Sequence, residues 1–449
     1  MLNRMRIKSL LEIEVQRYRQ NNVKSLAHFE YAKNSLMGGV PMSWMSRWPG
    51  DFPLVFSSAE GAYLEDLDGN SYVDFCLGDT SAMAGHAVPA INNAIHNQLS
   101  RGASTMLPSQ DAALVSKELA NRFGLPFWQF TVSATDANRH AIRYSRFVTE
   151  KSKVIVIDRC YHGSVDEAFA TLDSSGQTVM REGNIGAPYA LAKTTRVVEF
   201  NDLYSMEEAL KQGDVAAILM EPAMTNVGIV LPEDGYLLAV GELAREYDAK
   251  WIIDETHTIS MGPGGMTADL ELKPDFLTIG KAIGGGIPTG TFGMTHHIAS
   301  QILEKTRREV IDTGGIGGTL AGNAVSLAAI RATLTEALTE KNFKKMIALG
   351  NRWCDGVEKA IRDFRLPWHV NRLGARGEYT FQEHAPRNGR EAGLAVDFEL
   401  EQYIHLRLLN DGFLLTPFHN MALMSPYTSE SDVDAHTEAF RSMCDDLTQ

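Results

Sequence analysis

The chain has 449 residues, 44% hydrophobic and 22% charged, an ordinary globular composition with room for one large domain and a smaller one. Its net charge of -14 argues against nucleic acid or an anionic membrane as the main partner. The four cysteines, Cys76, Cys160, Cys354 and Cys444, stand far apart without metal-ligand spacing, so no metal site is expected and the cytoplasm is the expected compartment.

Residues 1–57 form a helical and irregular opening. Leu2, Met5, Ile7, Leu10 and Leu11 fall at helical spacing, while Glu12 and Glu14 interrupt any signal-peptide core. This predicts an amphipathic helix that packs on the body of the protein or on a partner chain. A Gly/Pro/Trp-rich loop follows over 38–53. A hairpin is expected over 60–75, turning at Asp68-Gly69-Asn70, and it leads into a large domain spanning 58–334. Within that domain, short apolar strands are expected at Trp128–Val132, Val154–Asp158, Arg196–Glu199, Ala216–Met220, Trp251–Asp254 and Phe276–Ile279. Helical patterns such as Asp136–Phe147 and Tyr236–Tyr247 lie between them. This alternation predicts an α/β fold with a mostly parallel sheet flanked by helices. A long helix starting near Asn323 leads into a smaller α+β domain, 335–449.

In such sheets ligands sit at the carboxyl ends of the strands, and Ser133, Asp158, Tyr161, Glu221, Asp254 and Lys281 all fall there. Lys281 comes off an apolar run into Gly284-Gly285-Gly286. A buried lysine can lose its proton and become the amine nucleophile that forms a Schiff base. Asp254, at the end of the neighbouring run, could keep a cofactor's pyridine nitrogen protonated and so make that ring an electron sink. Either residue alone reads equally well as a strand-end group in solvent. Ser133-Ala134-Thr135-Asp136 caps a helix whose first amides can bind phosphate, and is otherwise an ordinary cap. Tyr161, beside His162 and Gly163, could stack on a flat ring or simply fill the core. Glu221, before Pro222, orients the site or anchors its loop. The glycines around Thr319 allow close backbone approach to a ligand. No Walker lysine loop and no G-x-G-x-x-G fingerprint follows the first strand, which disfavours nucleotide binding.

These pieces together resemble a class III aminotransferase of the pyridoxal-phosphate fold type I group, over essentially the whole chain. The matching segments are Gly61–Asn70, Gly85-His86, Tyr161–Gly163, Glu221-Pro222 with Asn226 to Gly228, Asp254-Glu255, Gly280–Pro288 and Thr319–Asn323. Within that family the chain resembles the glutamate-1-semialdehyde aminomutase-like branch. The resemblance implies pyridoxal 5'-phosphate as cofactor and Lys281 as its Schiff-base lysine. It pairs Asp254 with the pyridine nitrogen and stacks Tyr161 on the ring. Ser133, Ala134 and Thr135 would hold the phosphate, with Thr319 reaching across from the other subunit of a homodimer whose active sites are shared. Glu221, Asn226 and His162 would shape the pocket. The reaction it implies moves an amino group between an amine or amino acid and a keto acid or aldehyde. The alternative is an intramolecular aminomutase or an epimerase.

Several positions depart from the family pattern. Thr256 and His257 follow Asp254-Glu255 where the family has Val against the ring, and His257 so placed could tune the cofactor's electronics. Leu77–Met83 replaces a Trp-containing segment, and Ile259–Pro263 replaces Gly-Phe-Arg. A carboxylate-bearing substrate needs an arginine, for which Arg47 and Arg376 are the candidates. Trp44 and Met83 suggest an apolar, roomy substrate pocket.

Overall fold

The computed structural model describes residues 2–186, 190–306 and 315–449. It divides into two units, one of Met1–Val88, Lys344–Ala385 and Ala395–Gln449, the other of Pro89–Phe343 and Pro386–Leu394.

The second unit is built on a seven-stranded sheet. Its strands lie in the order Phe127–Thr131, Gly290–Met294, Phe276–Gly280, Lys250–Asp254, Val215–Met220, Lys153–Ile157 and Thr195–Val198. All run the same way except Gly290–Met294, which is antiparallel to both neighbours. Val215–Met220 is buried at every position, as are Lys250–Asp254 and Phe276–Gly280. Helices cover both faces of such strands, so near-continuous apolar runs are what they require. The six expected strands therefore appear within a residue or two of their expected bounds. Gly290–Met294 was not among the expected strands. Its Gly293 has a packing reason: a Cβ there would lie 2.7 Å from the Trp128 ring that fills that space. The helix Ala134–Thr149 starts at the end of Phe127–Thr131, capped by the Ser133 side chain, which accepts from the Asp136 amide.

In the first unit the helix Arg4–Asn21 packs along Phe398–Asn410. Arg17 meets Asp411 at 2.9 Å and Asn410 donates to Glu14 at 2.7 Å. Its buried face is Ile7, Glu14 and Tyr18, whereas Met5, expected on the apolar face, is 81% exposed. The strands Phe56–Glu60, Tyr63–Asp66 and Ser71–Asp74 form the expected hairpin region. Val73 and Asp74 pair with Phe413 and Leu414, so this hairpin belongs with the C-terminal segments and not with the large domain of the sequence reading. The boundary expected at 334 falls at Phe343, and the helix past Asn323 is three pieces, Ala324–Ala332, a wider turn at Thr333–Ala337, and Glu340–Asp363. Among the described residues no helix is long and apolar enough to cross a membrane. None of them forms a metal-ready group of three or more His, Cys, Asp and Glu, and the four cysteines are buried and free.

His436 gives this unit a defined acid response. It lies among Phe75, Phe413 and Phe440, and its Nδ1 accepts the Trp353 indole N–H at 3.1 Å. Burial pushes its imidazole down to about 3. The folded state thus resists a proton that the unfolded chain takes up readily, and stability is complete above the ordinary histidine range and falls as pH drops from about 6.5 toward 3. Each unit of pH in that window costs about 1.4 kcal/mol. His436→Gln keeps an acceptor for Trp353 but cannot be charged. Its denaturant midpoint should change less than that of the wild type between about pH 7 and pH 5.

Candidate active site

The site assembles at the carboxyl ends of three neighbouring parallel strands of the second unit. Val215–Met220 delivers Glu221, Lys250–Asp254 delivers Asp254 at its last position, and Phe276–Gly280 delivers Lys281. Asp254 stands in register with Thr278, which puts the carboxylate one strand away from the lysine turn.

Lys281 has φ +45, in the left-handed region that a side-chain-bearing residue seldom occupies. Such backbone persists only where the surroundings fix it, and here it aims the amine. Gly280 makes the approach possible, since a Cβ there would lie 2.9 Å from the Ala134 Cβ and 3.1 Å from the Ala134 nitrogen. The lysine turn is therefore pressed against the N-terminus of Ala134–Thr149. The Ala134 and Thr135 amides belong to the first turn and lack intrahelical acceptors, which makes that terminus a ready anion site. The Ser133 hydroxyl is engaged within the cap, donating to Asp136 Oδ2 at 3.1 Å. Thr135 Oγ1 accepts from the Ser164 amide at 3.2 Å, and Gly163 is required there because a Cβ would lie 2.0 Å from that oxygen.

Asp254 is buried and held as a carboxylate. Oδ2 accepts from Asn138 at 2.8 Å and from His162 Nδ1 at 2.9 Å, and Oδ1 accepts from the Thr256 amide at 3.0 Å. Asn138 is itself fixed by the Thr278 hydroxyl at 2.6 Å. Burial by itself raises the Asp254 carboxyl, but these donors and the charge of His162 outweigh it and hold it well below the usual carboxylate range. For His162 burial acts downward, Cys160 and Asp254 act upward, and the net direction is up. Among the described residues the buried Thr256 hydroxyl and His162 Nε2 make no well-formed hydrogen bond, although Thr256 acts on Asp254 and Cys160 acts on His162. Buried polar atoms without a well-formed hydrogen bond call for a group that satisfies them. Glu255 faces the other way and accepts from the Met266 and Thr267 amides and the Thr258 and Thr267 hydroxyls. It anchors the loop and is not part of the cleft.

Tyr161 is 44% exposed and makes a T-shaped contact with Phe169. Asn226 donates its amide to the Arg159 carbonyl at 2.9 Å and ties two loops together. Lys281 Nζ lies 2.7 Å from His257 Nε2, a contact that no local sequence signal specifies. Thr319 is placed differently from the rest: it is exposed and lines a cavity of about 650 Å³ with Thr105, Phe130 and His140, and none of Lys281, Asp254 and Ser133 lines that cavity.

The four residues expected to bind substrate belong to the first unit. Trp44 and Arg47 are exposed on a short helical turn, with Trp44 edge-on to Phe418. Met83 is fully buried, a core side chain. Arg376 is 1% exposed on the strand Arg376–Thr380 and donates to the Thr80 hydroxyl.

The residues present fit an aromatic cofactor that carries a phosphate and a protonated ring nitrogen. The helix terminus suits the phosphate, and the ionised Asp254 suits the ring nitrogen. A family model described as aminotransferase class-III matches residues 44–443. The glutamate-1-semialdehyde 2,1-aminomutase of Methanothrix thermoacetophila is 32% identical over 426 residues, covering 94% of this chain and 96% of that protein. A crystal structure of a glutamate-1-semialdehyde-aminomutase from Pseudomonas aeruginosa PAO1 superposes with a TM-score of 0.97 at 47% identity, over 99% of each chain. A lysine-to-alanine variant of that enzyme was crystallised in complex with PMP. An omega-transaminase from Sphaerobacter thermophilus superposes with a TM-score of 0.85 at 27% identity, over 95% of this chain and 98% of that one.

Proposed function

We propose that this chain, which belongs to the class III aminotransferase family, is a pyridoxal-phosphate enzyme that moves an amino group between adjacent carbons of one substrate, as in a glutamate-1-semialdehyde 2,1-aminomutase. The observation that carries the reading is Lys281 Nζ beside a phosphate-ready helix terminus, one strand from an ionised Asp254. Bound there, the cofactor supplies an aldehyde that captures amines and a ring that takes up electrons released at the amino-bearing carbon.

The protein's own groups do the rest. The Ala134 and Thr135 amides and the helix dipole hold the phosphate. Asp254 would keep a proton on the ring nitrogen, and Asn138, His162 and the Thr256 amide fix the carboxylate in advance. Tyr161 would pack on the ring. Lys281 Nζ would take the proton from the amino-bearing carbon and deliver one to the neighbouring carbon. Thr319, exposed and apart from Lys281, serves the active site of a second copy in a homodimer, whose mass light scattering would check.

A second reading, transfer between two substrates, has its own observation. Leu77–Met83 and Ile259–Pro263 stand where the aminomutase-like branch carries a Trp-containing segment and Gly-Phe-Arg. One assay separates the two readings: glutamate 1-semialdehyde is given alone to the cofactor-loaded enzyme. Isomerisation with no second substrate supports the aminomutase. No turnover alone, with turnover once an amino donor and a keto acid are both present, replaces it with a transaminase.

A further inference from the structure

Lys281 is not an isolated amine: a line of polar side chains runs from it into the protein. Nζ lies 2.7 Å from His257 Nε2, His257 Nδ1 lies 3.0 Å from Thr225 Oγ1, and Thr225 Oγ1 lies 2.5 Å from Glu221 Oε2. The four residues come from loops that follow the three neighbouring strands Val215–Met220, Lys250–Asp254 and Phe276–Gly280. Donor and acceptor chemistry fixes the direction of each link. An ionised carboxylate only accepts, so the Thr225 hydroxyl donates to Glu221 and its oxygen accepts from Nδ1–H. That leaves Nε2 as an acceptor facing Lys281, whose ammonium carries only donors. The Thr225 amide holds Glu221 Oε1 at 3.3 Å, which keeps Oε2 turned to the hydroxyl.

We propose that His257 and Thr225 form a proton wire by which the Lys281 ammonium passes a proton to Glu221, leaving Nζ as a neutral nucleophilic amine. The step balances without an outside reagent. An Nζ–H bond breaks as Nε2–H forms, Nδ1–H breaks as a new Thr225 O–H forms, and the old Thr225 O–H breaks as Glu221 Oε2–H forms. An ammonium and a carboxylate become an amine and a carboxylic acid, and no electron changes owner. Glu221 suits the end of the wire. Burial raises its carboxyl, His162 and the Thr225 hydroxyl act the other way, Asp254 adds to the rise, and the result is about 7. A plain structural tie would need neither a protonatable terminus nor consistent polarity at every link. His257 is thus a catalytic residue, and Thr225 and Glu221 are positioning residues that act through it. The proposal rests on the preceding reading only in taking Lys281 as the reacting amine.

The test uses the full-length protein and a readout other than turnover. A trace of acetic anhydride at about pH 7 labels amines by their nucleophilicity, and peptide mass spectrometry compares Lys281 with surface lysines of the same molecule. His257→Phe, Thr225→Val and Glu221→Gln should each slow Lys281 labelling about tenfold and leave the surface lysines unchanged. Thr225→Ser, which keeps the hydroxyl, should label at the wild-type rate. If Glu221→Gln fails to fold, the nearly isosteric Thr225→Val still decides. Folded Thr225→Val and His257→Phe proteins whose Lys281 labels as in the wild type would overturn the wire. Uptake of added pyridoxal phosphate is measured separately: its absence from the wild type removes the cofactor reading and leaves the labelling result standing.

Discussion

Lys281→Ala should fold as the wild type does and lose turnover by a factor on the order of ten thousand. The amine has two tasks in the proposed reaction, covalent capture and carriage of the substrate proton. General acid–base catalysis alone is worth about 10²–10⁴-fold. The stability cost is small, because the side chain is only part-buried. The checks are turnover with saturating cofactor and a thermal melt on the same preparation. Activity within about tenfold of the wild type would remove Lys281 from the chemistry.

Asp254 should show two separable losses. In Asp254→Ala the Asn138, His162 and Thr256 donors lose their acceptor, and a buried histidine loses its counter-charge. Removing one partner of such a buried pair costs about 3–5 kcal/mol in folding stability. Asp254→Asn keeps the shape and an acceptor oxygen, so its stability loss should be nearer 1–2 kcal/mol. Yet a neutral amide cannot hold the proton on a ring nitrogen, and turnover should still fall by about 10²–10³-fold, the usual size of a lost preorganised charge. Denaturant melts and turnover on the two variants separate these effects. An Asp254→Asn enzyme as active as the wild type would mean that Asp254 only shapes the fold.

The parts of this architecture that were legible in the sequence are those set by local chemistry. Val215–Met220 and Phe276–Gly280 announce themselves because strands covered on both faces must be apolar throughout. Ser133 announces a helix start because its hydroxyl is suited to the Asp136 amide. Asp254 and Lys281 stand out because a carboxylate and an amine end such apolar runs. What escaped depends on partners distant in the chain. The Gly290–Met294 strand carries two glycines, and the reason for Gly293 is the Trp128 ring more than 160 residues away. The hairpin near residue 70 looked like the start of the large domain, because nothing local reveals its pairing with Phe413 and Leu414. Met83 suggested a pocket by its type alone, and is a core side chain. His257 was noticed only as a departure from a pattern. Its value lies in standing between Lys281 and Thr225, a relation created by bringing three strand ends together.

Covalent mapping of the cofactor decides whether Lys281 is the reacting amine. Purified protein is loaded with pyridoxal phosphate, reduced with borohydride, digested and analysed by mass spectrometry. One pyridoxyl adduct per chain is expected, on the peptide carrying Lys281, with a matching visible absorption band before reduction. No adduct, or adduct scattered over surface lysines with Lys281 unmodified, would contradict that role.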